Sequence, residues 1–344
     1  MKRAIVLFIS LFYITTIFAE DSFEIIRNFE KNNGIVPFSG IEVSILFDDP
    51  NFEKTSVAKV YSNGNYLFRK DYLSPPFLLG RVVLDNGKYQ YDFDPKINVI
   101  RISPSSFIIR TKDEIERQIK LIRQNYIVTI DKEEVFLGRK VYVILFTSKY
   151  TKKLISKMWI DSEKYISLRT DKYNSDGKIV GRTMFIEIDF NPKFSENLFN
   201  LDFIRNKNTK IEESKLVEEK INNAKAPFEL PLGYMLIKFY SILEDNDKIT
   251  HYYKYSDGVL DLSLFEGNIP FRPTGQPIII DGTQVFFASN ILWKSIIWKK
   301  DNKYYLLVGD IPDNYVETIF IKVMKELSLR EVKKEPLEKA IIQK

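Results

Sequence analysis

Apolar and polar residues alternate with a period of two along much of this chain. Ile41, Val43, Ile45 and Phe47 alternate with Glu42 and Ser44, a pattern that predicts a half-buried strand. Val57–Tyr61 and Tyr66–Arg69 predict a hairpin across Asn63-Gly64, and Arg81–Leu84 with Lys88–Phe93 predict another across Asn86-Gly87. Ile97–Ile102 adds a strand. Further strands are expected at Tyr126–Ile130, Lys140–Thr147, Ser156–Asp161, Ile166–Tyr173 and Lys178–Phe190, the last two joined by Ser175-Asp176-Gly177. The period lengthens twice. Asp21-Ser22-Phe23-Glu24 reads as a helix start that Glu24 can cap, with Phe23, Ile26 and Phe29 on one face. Thr111-Lys112-Asp113-Glu114 is a capping box leading into Ile115, Ile119 and Ile122 at helical spacing. A chain of hairpins this wide is expected to curve around its helices rather than lie flat.

A second block repeats the alternation from Pro227 to about Leu329. Strands are predicted at Tyr234–Leu243, Ile249–Tyr255, Val259–Phe265, Pro277–Ile280, Thr283–Phe287, Ile291–Lys299 and Lys303–Val308. Val316, Ile319, Phe320, Val323, Met324 and Leu327 then mark an amphipathic helix. Between the blocks, 205–226 is charged and polar, with only Ile211, Val217 and Ile221 as an apolar stripe, and is read as an exposed linker helix. The expected organisation is therefore a segment 1–19, a curved sheet domain 20–204, the linker 205–226, a smaller α+β domain 227–329 and a frayed tail 330–344.

Residues 1–19 have the form of a secretory signal peptide. Lys2 and Arg3 precede the uncharged run Ala4–Ile17, and Ala19 offers a small residue before Glu20-Asp21. The run is short for a membrane span, which needs about 20 residues, so a soluble extracytoplasmic, periplasmic-type location is expected. The chain has no cysteine and one histidine, which removes thiol nucleophiles, disulfides, thiolate zinc sites and multi-histidine metal sites. A Ser-His-Asp triad would rest on His251 alone, in an ordinary strand sequence. No nucleophile elbow, dinucleotide fingerprint or phosphate-binding glycine loop is present. Asp48-Asp49, Asp92 with Asp94, and Glu133-Glu134 are paired carboxylates of turn and strand-end character, and none has an EF-hand pattern. The formal charge of +5 is spread among alternating acids and bases, unlike a nucleic-acid stripe. No catalytic residue, metal or cofactor is expected.

Aromatic residues make up 14% of the chain, and many stand in the alternating strands, among them Tyr142, Phe146 and Phe185. A curved sheet with a wide apolar face either fills with helices or keeps a cavity. Two short helices are little filler, so a cavity for acyl chains or another apolar ligand is expected.

The order of short phrases resembles known families. Phe38-Ser39-Gly40, Leu84-Asp85-Asn86-Gly87 before Tyr89-Gln90-Tyr91-Asp92, Phe136-Leu137-Gly138-Arg139 before Val141, and Met158-Trp159-Ile160-Asp161 before Ser167-Leu168-Arg169 resemble the LolA/LolB fold. Leu230-Pro231-Leu232-Gly233-Tyr234, Tyr255-Ser256-Asp257-Gly258-Val259 and the run Trp298–Pro312 resemble the C-terminal domain of RseB/MucB regulators. The resemblance implies an α+β protein: a strongly curved antiparallel half-barrel covering helices, plus a smaller antiparallel sheet with a C-terminal helix. It implies an extracytoplasmic regulator of envelope stress signalling that binds the periplasmic domain of an anti-sigma factor and responds to lipid or lipoprotein acyl chains. A LolA-like carrier of lipid or lipoprotein is the alternative, and a homo-oligomer is compatible with either. The implied ligand site has no transferable motif. Strand parity offers Val43, Ile45, Phe47, Tyr66, Phe68, Tyr89, Tyr91 and Phe93 as cavity-lining candidates.

Overall fold

The structure is a computed structural model describing residues 21–47, 54–105, 111–195, 197–203, 206–213, 215–218, 230–243, 249–268, 275–289, 294–309, 311 and 315–328. The expected signal segment 1–19 and the tail 330–344 lie outside these residues. Helix α1 (Ser22–Asn32) is followed by β1 (Pro37–Leu46), β2 (Lys54–Asn63), β3 (Phe68–Ser74), β4 (Val82–Asp85), β5 (Tyr89–Asp94) and β6 (Val99–Pro104). Helix α2 (Lys112–Asn125) then leads into β7 (Tyr126–Phe136), β8 (Arg139–Ser148), β9 (Leu154–Asp161), β10 (Ser167–Tyr173) and β11 (Ile179–Asp189). Two short strands follow, β12 (Lys210–Glu213) and β13 (Lys215–Glu218). The second block holds β14 (Met235–Leu243), β15 (Ile249–Ser256), β16 (Asp261–Gly267), β17 (Gln276–Ile280), β18 (Thr283–Ser289), β19 (Lys294–Lys300) and β20 (Lys303–Gly309). Helix α3 spans residues 316–328.

The first sheet has twelve strands in the order β12-β6-β5-β4-β3-β2-β1-β11-β10-β9-β8-β7. Every pairing is antiparallel except β12 with β6, and the sheet is open. Register shifts at Ile41/Glu42, Ile130/Lys132, Phe146/Thr147 and Ser167/Arg169 bend its strands, because an inserted residue increases local coil and twist. The second sheet has eight strands, β13-β14-β15-β16-β20-β19-β18-β17. Helix α3 covers one of its faces, where Phe320 meets Trp298 edge-to-face at 5.2 Å. The expected α+β architecture of a curved open sheet with helices and a smaller sheet with a C-terminal helix is what the chain adopts.

Three local expectations are corrected. The segment read as a linker helix contains β12 and β13. Its stripe of Ile211 and Val217 is too thin to hold a helix by packing, while β6 and β14 offer unpaired backbone that four residues each can satisfy. Tyr66, expected in a strand, sits in the β2–β3 turn with φ of 59° and donates its amide to the Gly34 carbonyl at 2.8 Å. At α1 the cap is Asp21, whose carboxylate accepts from the Phe23 amide at 3.2 Å, while the Glu24 carboxylate turns to Arg27. The capping box of α2 forms as expected, with Thr111 and Glu114 bonding each other's amides.

One apolar core runs through both sheets. Ile25 and Ile26 of α1 and Ile115, Ile119 and Ile122 of α2 share it with Ile144, Phe146 and Ile160 of the first sheet. The same cluster continues into Tyr253, Leu262, Leu264 and Trp298 of the second sheet and Phe320 of α3. A separate cluster around Val60, Val141, Val143, Trp159, Leu168 and Phe185 belongs to the first sheet alone. Ile160 is fully buried and Val135 is 73% exposed. Truncating Ile160 to Ala is expected to cost about 2–5 kcal/mol in urea unfolding, whereas Val135→Ala should stay within about 0.5 kcal/mol.

Candidate functional site: a pocket between the two domains

Helix α2 ends where the two domains meet. The β15–β16 turn, Ser256-Asp257-Gly258, seats on its last turn through side-chain to main-chain bonds. Gln118 Nε2 donates to the Gly258 carbonyl at 2.8 Å. Asn125 Nδ2 donates to the carbonyls of Asp257 at 2.7 Å and Gly233 at 3.1 Å, and its Oδ1 accepts from Tyr150 Oη at 3.1 Å. Tyr126 Oη donates to Asp257 Oδ2 at 2.5 Å. The other carboxylate oxygen, Oδ1, accepts from the amides of Val259 at 2.9 Å and Leu260 at 2.7 Å, closing the turn on itself. The groups that meet here are thus largely satisfied within the interface.

Both glycines at this junction are required by space. Gly258 has φ of +103°, and a Cβ there would lie 2.8 Å from Ile122 Cγ1 and 2.9 Å from its amide nitrogen. Gly233 has φ of +78°, and a Cβ there would run into the Asn125 amide. The left-handed region favours glycine in both cases.

Beside this junction lies a pocket of about 290 Å³. Helix α1 contributes Ile26 and Phe29, and α2 contributes Gln118 and Ile122. The curved sheet supplies Phe146, Met158 and Ile160, with Thr170 and Lys172 from β10. The second domain closes the remaining wall with Ile237, Val259, Leu260 and Asp261. The lining mixes aliphatic and aromatic side chains with polar and charged ones, Glu30, Lys172 and Asp261 among them, and the volume sits near the lower limit of ligand pockets, roughly 300 Å³.

Strand β10 is braced from behind. Thr170 and Lys172 line the pocket, so the alternating residues Arg169 and Asp171 face away from it. Asp171 is held by Arg169 (2.6 and 3.0 Å) and Arg182 (2.7 and 2.8 Å). Burial works to raise the Asp171 pKa, but the two guanidiniums prevail and hold it below the usual carboxylate range. Asp257 goes the other way. It is 5% exposed, and burial pushes its carboxyl up to about 6, against the Tyr126 hydroxyl and the two turn amides, with Asp261 adding a like charge.

None of the eight parity-derived residues lines this pocket. Val43 is buried and Ile45 half-buried in β1, and Phe47 lies 45% exposed beyond its end, 5.6 Å from the Arg182 guanidinium. Phe68 of β3 packs on the separate first-sheet cluster. Tyr89 and Tyr91 of β5 meet edge-to-face at 6.5 Å, and Phe93 is half-buried in the same strand. These residues occupy the β1–β5 part of the sheet together with Tyr66 in its turn, whereas the pocket uses β8–β10. Phe146 stands out in the sequence as one of many strand aromatics. Gln118, Ile122, Met158 and Leu260 carry no such signal, because the partner that makes each of them a pocket residue is remote in the chain. His251 lies on β15 with Nδ1 3.4 Å from Ser241 Oγ and its ring 5.5 Å from that of Phe239. Among the described residues, no three His, Asp or Glu side chains are grouped as a metal site would require.

Residues 53–218 match the family model of the MucB/RseB N-terminal domain. This chain is RseB/MucB-like. Its RseB/MucB-type architecture extends beyond the matched residues. The complex of Pseudomonas aeruginosa MucA and MucB aligns over 87% of this chain and 97% of the other at 12% identity, with a TM-score of 0.56. A crystal structure of MucB aligns over 89% of this chain and 98% of that one at 13% identity, with a TM-score of 0.54. At such identities the fold is what is shared. No curated protein is significantly similar to the chain. No helix among the described residues of this RseB/MucB-like protein is long and apolar enough to cross a membrane.

The junction geometry sets a direct expectation. Gly258→Ala should force the turn off α2 at a cost of about 1–3 kcal/mol from overpacking. Gly177→Ala, where nothing lies within 4 Å of the new Cβ, should cost only the backbone strain of its φ of +78°, about 1 kcal/mol. Thermal melts of the two variants, with small-angle scattering to follow domain separation, check this: only Gly258→Ala should expand the molecule.

Proposed function

We propose that this protein is a non-enzymatic extracytoplasmic regulator that takes an acyl chain or similar apolar ligand into the inter-domain pocket. Its protein partner is the periplasmic segment of a membrane anti-sigma factor. The observation that carries this reading is the pocket wall. Residues Ile237, Val259, Leu260 and Asp261 of the second domain close a cavity whose floor and helices belong to the first. A ligand seated there touches both domains, so its binding changes their relation to each other and any surface that spans them. A carrier needs only to hold and release its cargo and has no use for that coupling. The likeness to MucB solved together with MucA supports a partner of the MucA kind.

The apolar part of the lining, Ile26, Phe29, Phe146, Met158 and Leu260 among it, supports the ligand class. With about 290 Å³ available and roughly 30 Å³ for a group the size of a water or a methylene, the pocket accommodates on the order of ten carbons. Lys172 and Gln118 provide polar contacts for a headgroup or carbonyl.

Mass spectrometry of the gently purified protein should find a bound acyl-chain compound, and fluorescent fatty acids should bind competitively with it. Met158→Trp, which fills the pocket, should weaken that binding at least about tenfold, or 1.4 kcal/mol. Failure of every acyl probe would sink the ligand assignment. A pull-down from envelope extract should return a single-span membrane protein encoded beside a sigma factor, whereas recovery of lipoproteins alone would favour the carrier.

A further inference from the structure

We propose that Asp257 makes the docking of the two domains proton-sensitive, so that the pocket they share loosens as its carboxyl ionises. The proton dependence of docking can be read without any ligand; the consequence for a ligand rests on the functional reading above.

The geometry singles out this residue. Asp257 belongs to the second domain, is 5% exposed, and buries one carboxylate oxygen against the Tyr126 hydroxyl of the first domain at 2.5 Å. Its own backbone carbonyl is taken by Asn125. The adjoining Gly258 sits in van der Waals contact distance of the α2 backbone with no room for a side chain. The same turn continues directly into Val259, Leu260 and Asp261, which form the pocket wall. A displacement of Asp257 is therefore a displacement of that wall.

Among the described residues, none of the charged groups that act on the carboxylate is a cation. From β7 it meets the neutral Tyr126 hydroxyl, while the neutral Asn125 of α2 bonds the Asp257 backbone carbonyl. The cations at the end of α2 are engaged elsewhere: Arg123 stacks over the Phe23 ring at 4.3 Å, and Lys149 donates to the Arg123 carbonyl at 2.7 Å. From its own domain the charged neighbour is Asp261, itself paired with Lys254 at 3.1 Å. Ionisation thus places a buried negative charge beside another carboxylate, with one hydroxyl and two amides to stabilise it.

The sign follows from linkage. Docked, the carboxyl titrates at about 6; undocked and solvated, it returns toward its ordinary 3.8. The docked form holds the proton more tightly, so protonation favours docking at low pH and that contribution is lost as pH rises through about 6. Between pH 5 and pH 7.5 the docking equilibrium should fall about tenfold on these values.

The absence of cysteine allows a direct test. Leu260 is 8% exposed, and Leu260→Cys places a single thiol in the pocket wall. Its labelling by a disulfide reagent, normalised to the urea-unfolded chain at each pH, reports how often the wall opens. The normalised rate should rise about tenfold from pH 5 to pH 7.5. Adding Asp257→Asn, which keeps the group neutral, should abolish the step. Tyr126→Phe, which removes the donor that favours the carboxylate, should increase opening at pH 7.5 and keep a pH step. A flat profile in the Leu260→Cys protein, or a step that survives Asp257→Asn, overturns the proposal. Fatty-acid binding is measured separately on the wild-type chain. If the labelling step is present but no fatty acid binds, docking is proton-sensitive as proposed and the ligand assignment alone falls.

Discussion

The seating of one turn against the end of one helix organises this molecule. Ile122 of α2 packs with the first sheet's core on one side and lies against Gly258 on the other. Because Gly258 has no side chain, the helix and turn approach backbone to backbone, and the apolar cores of the two sheets become continuous. The pocket exists because that contact holds the second domain at a fixed distance from the curved sheet. A buried carboxyl follows from it too, since the turn needs an Asx-type acceptor for its own amides and docking takes that acceptor out of water.

Much of the fold is legible in local pattern. Alternation of apolar and polar residues marks nearly every strand, and glycine-containing pairs such as Asn86-Gly87 and Asp281-Gly282 mark the reversals between them. The box at Thr111 and Glu114 announces α2 to the residue. Pattern fails where the deciding partner is remote. Residues 210–218 are charged and weakly periodic, and only the open edges of β6 and β14 make them strands. Tyr66 reads as strand by composition, yet its backbone is taken up by Gly34 in the preceding connection.

The site is less legible than the fold, and the reason is sequence distance. Gln118 and Gly258 are 140 positions apart, and Asn125 and Asp257 are 132 apart. Parity along a strand tells which residues share a face; it does not tell which stretch of a curved sheet is roofed by helices and which by a second domain. The candidates on β1, β3 and β5 satisfy the parity rule as well as Phe146 and Met158 do. What separates them is the position of α1, α2 and the β15–β16 turn. Family likeness at 12% identity has the same basis: burial pattern and turn chemistry outlast the identities of side chains, so a fold is shared where pocket linings need not be.

Strands β12 and β13 are separated in the chain by one residue, yet each completes the edge of a different sheet. The Cα atoms of Glu213 and Lys215 can stand no more than about 7 Å apart, two extended residues. The two sheet edges are consequently joined like the boards of a book at its spine. They cannot separate by translation while both strands stay paired. While both strands stay paired, that link is a pivot that keeps the two sheet edges together.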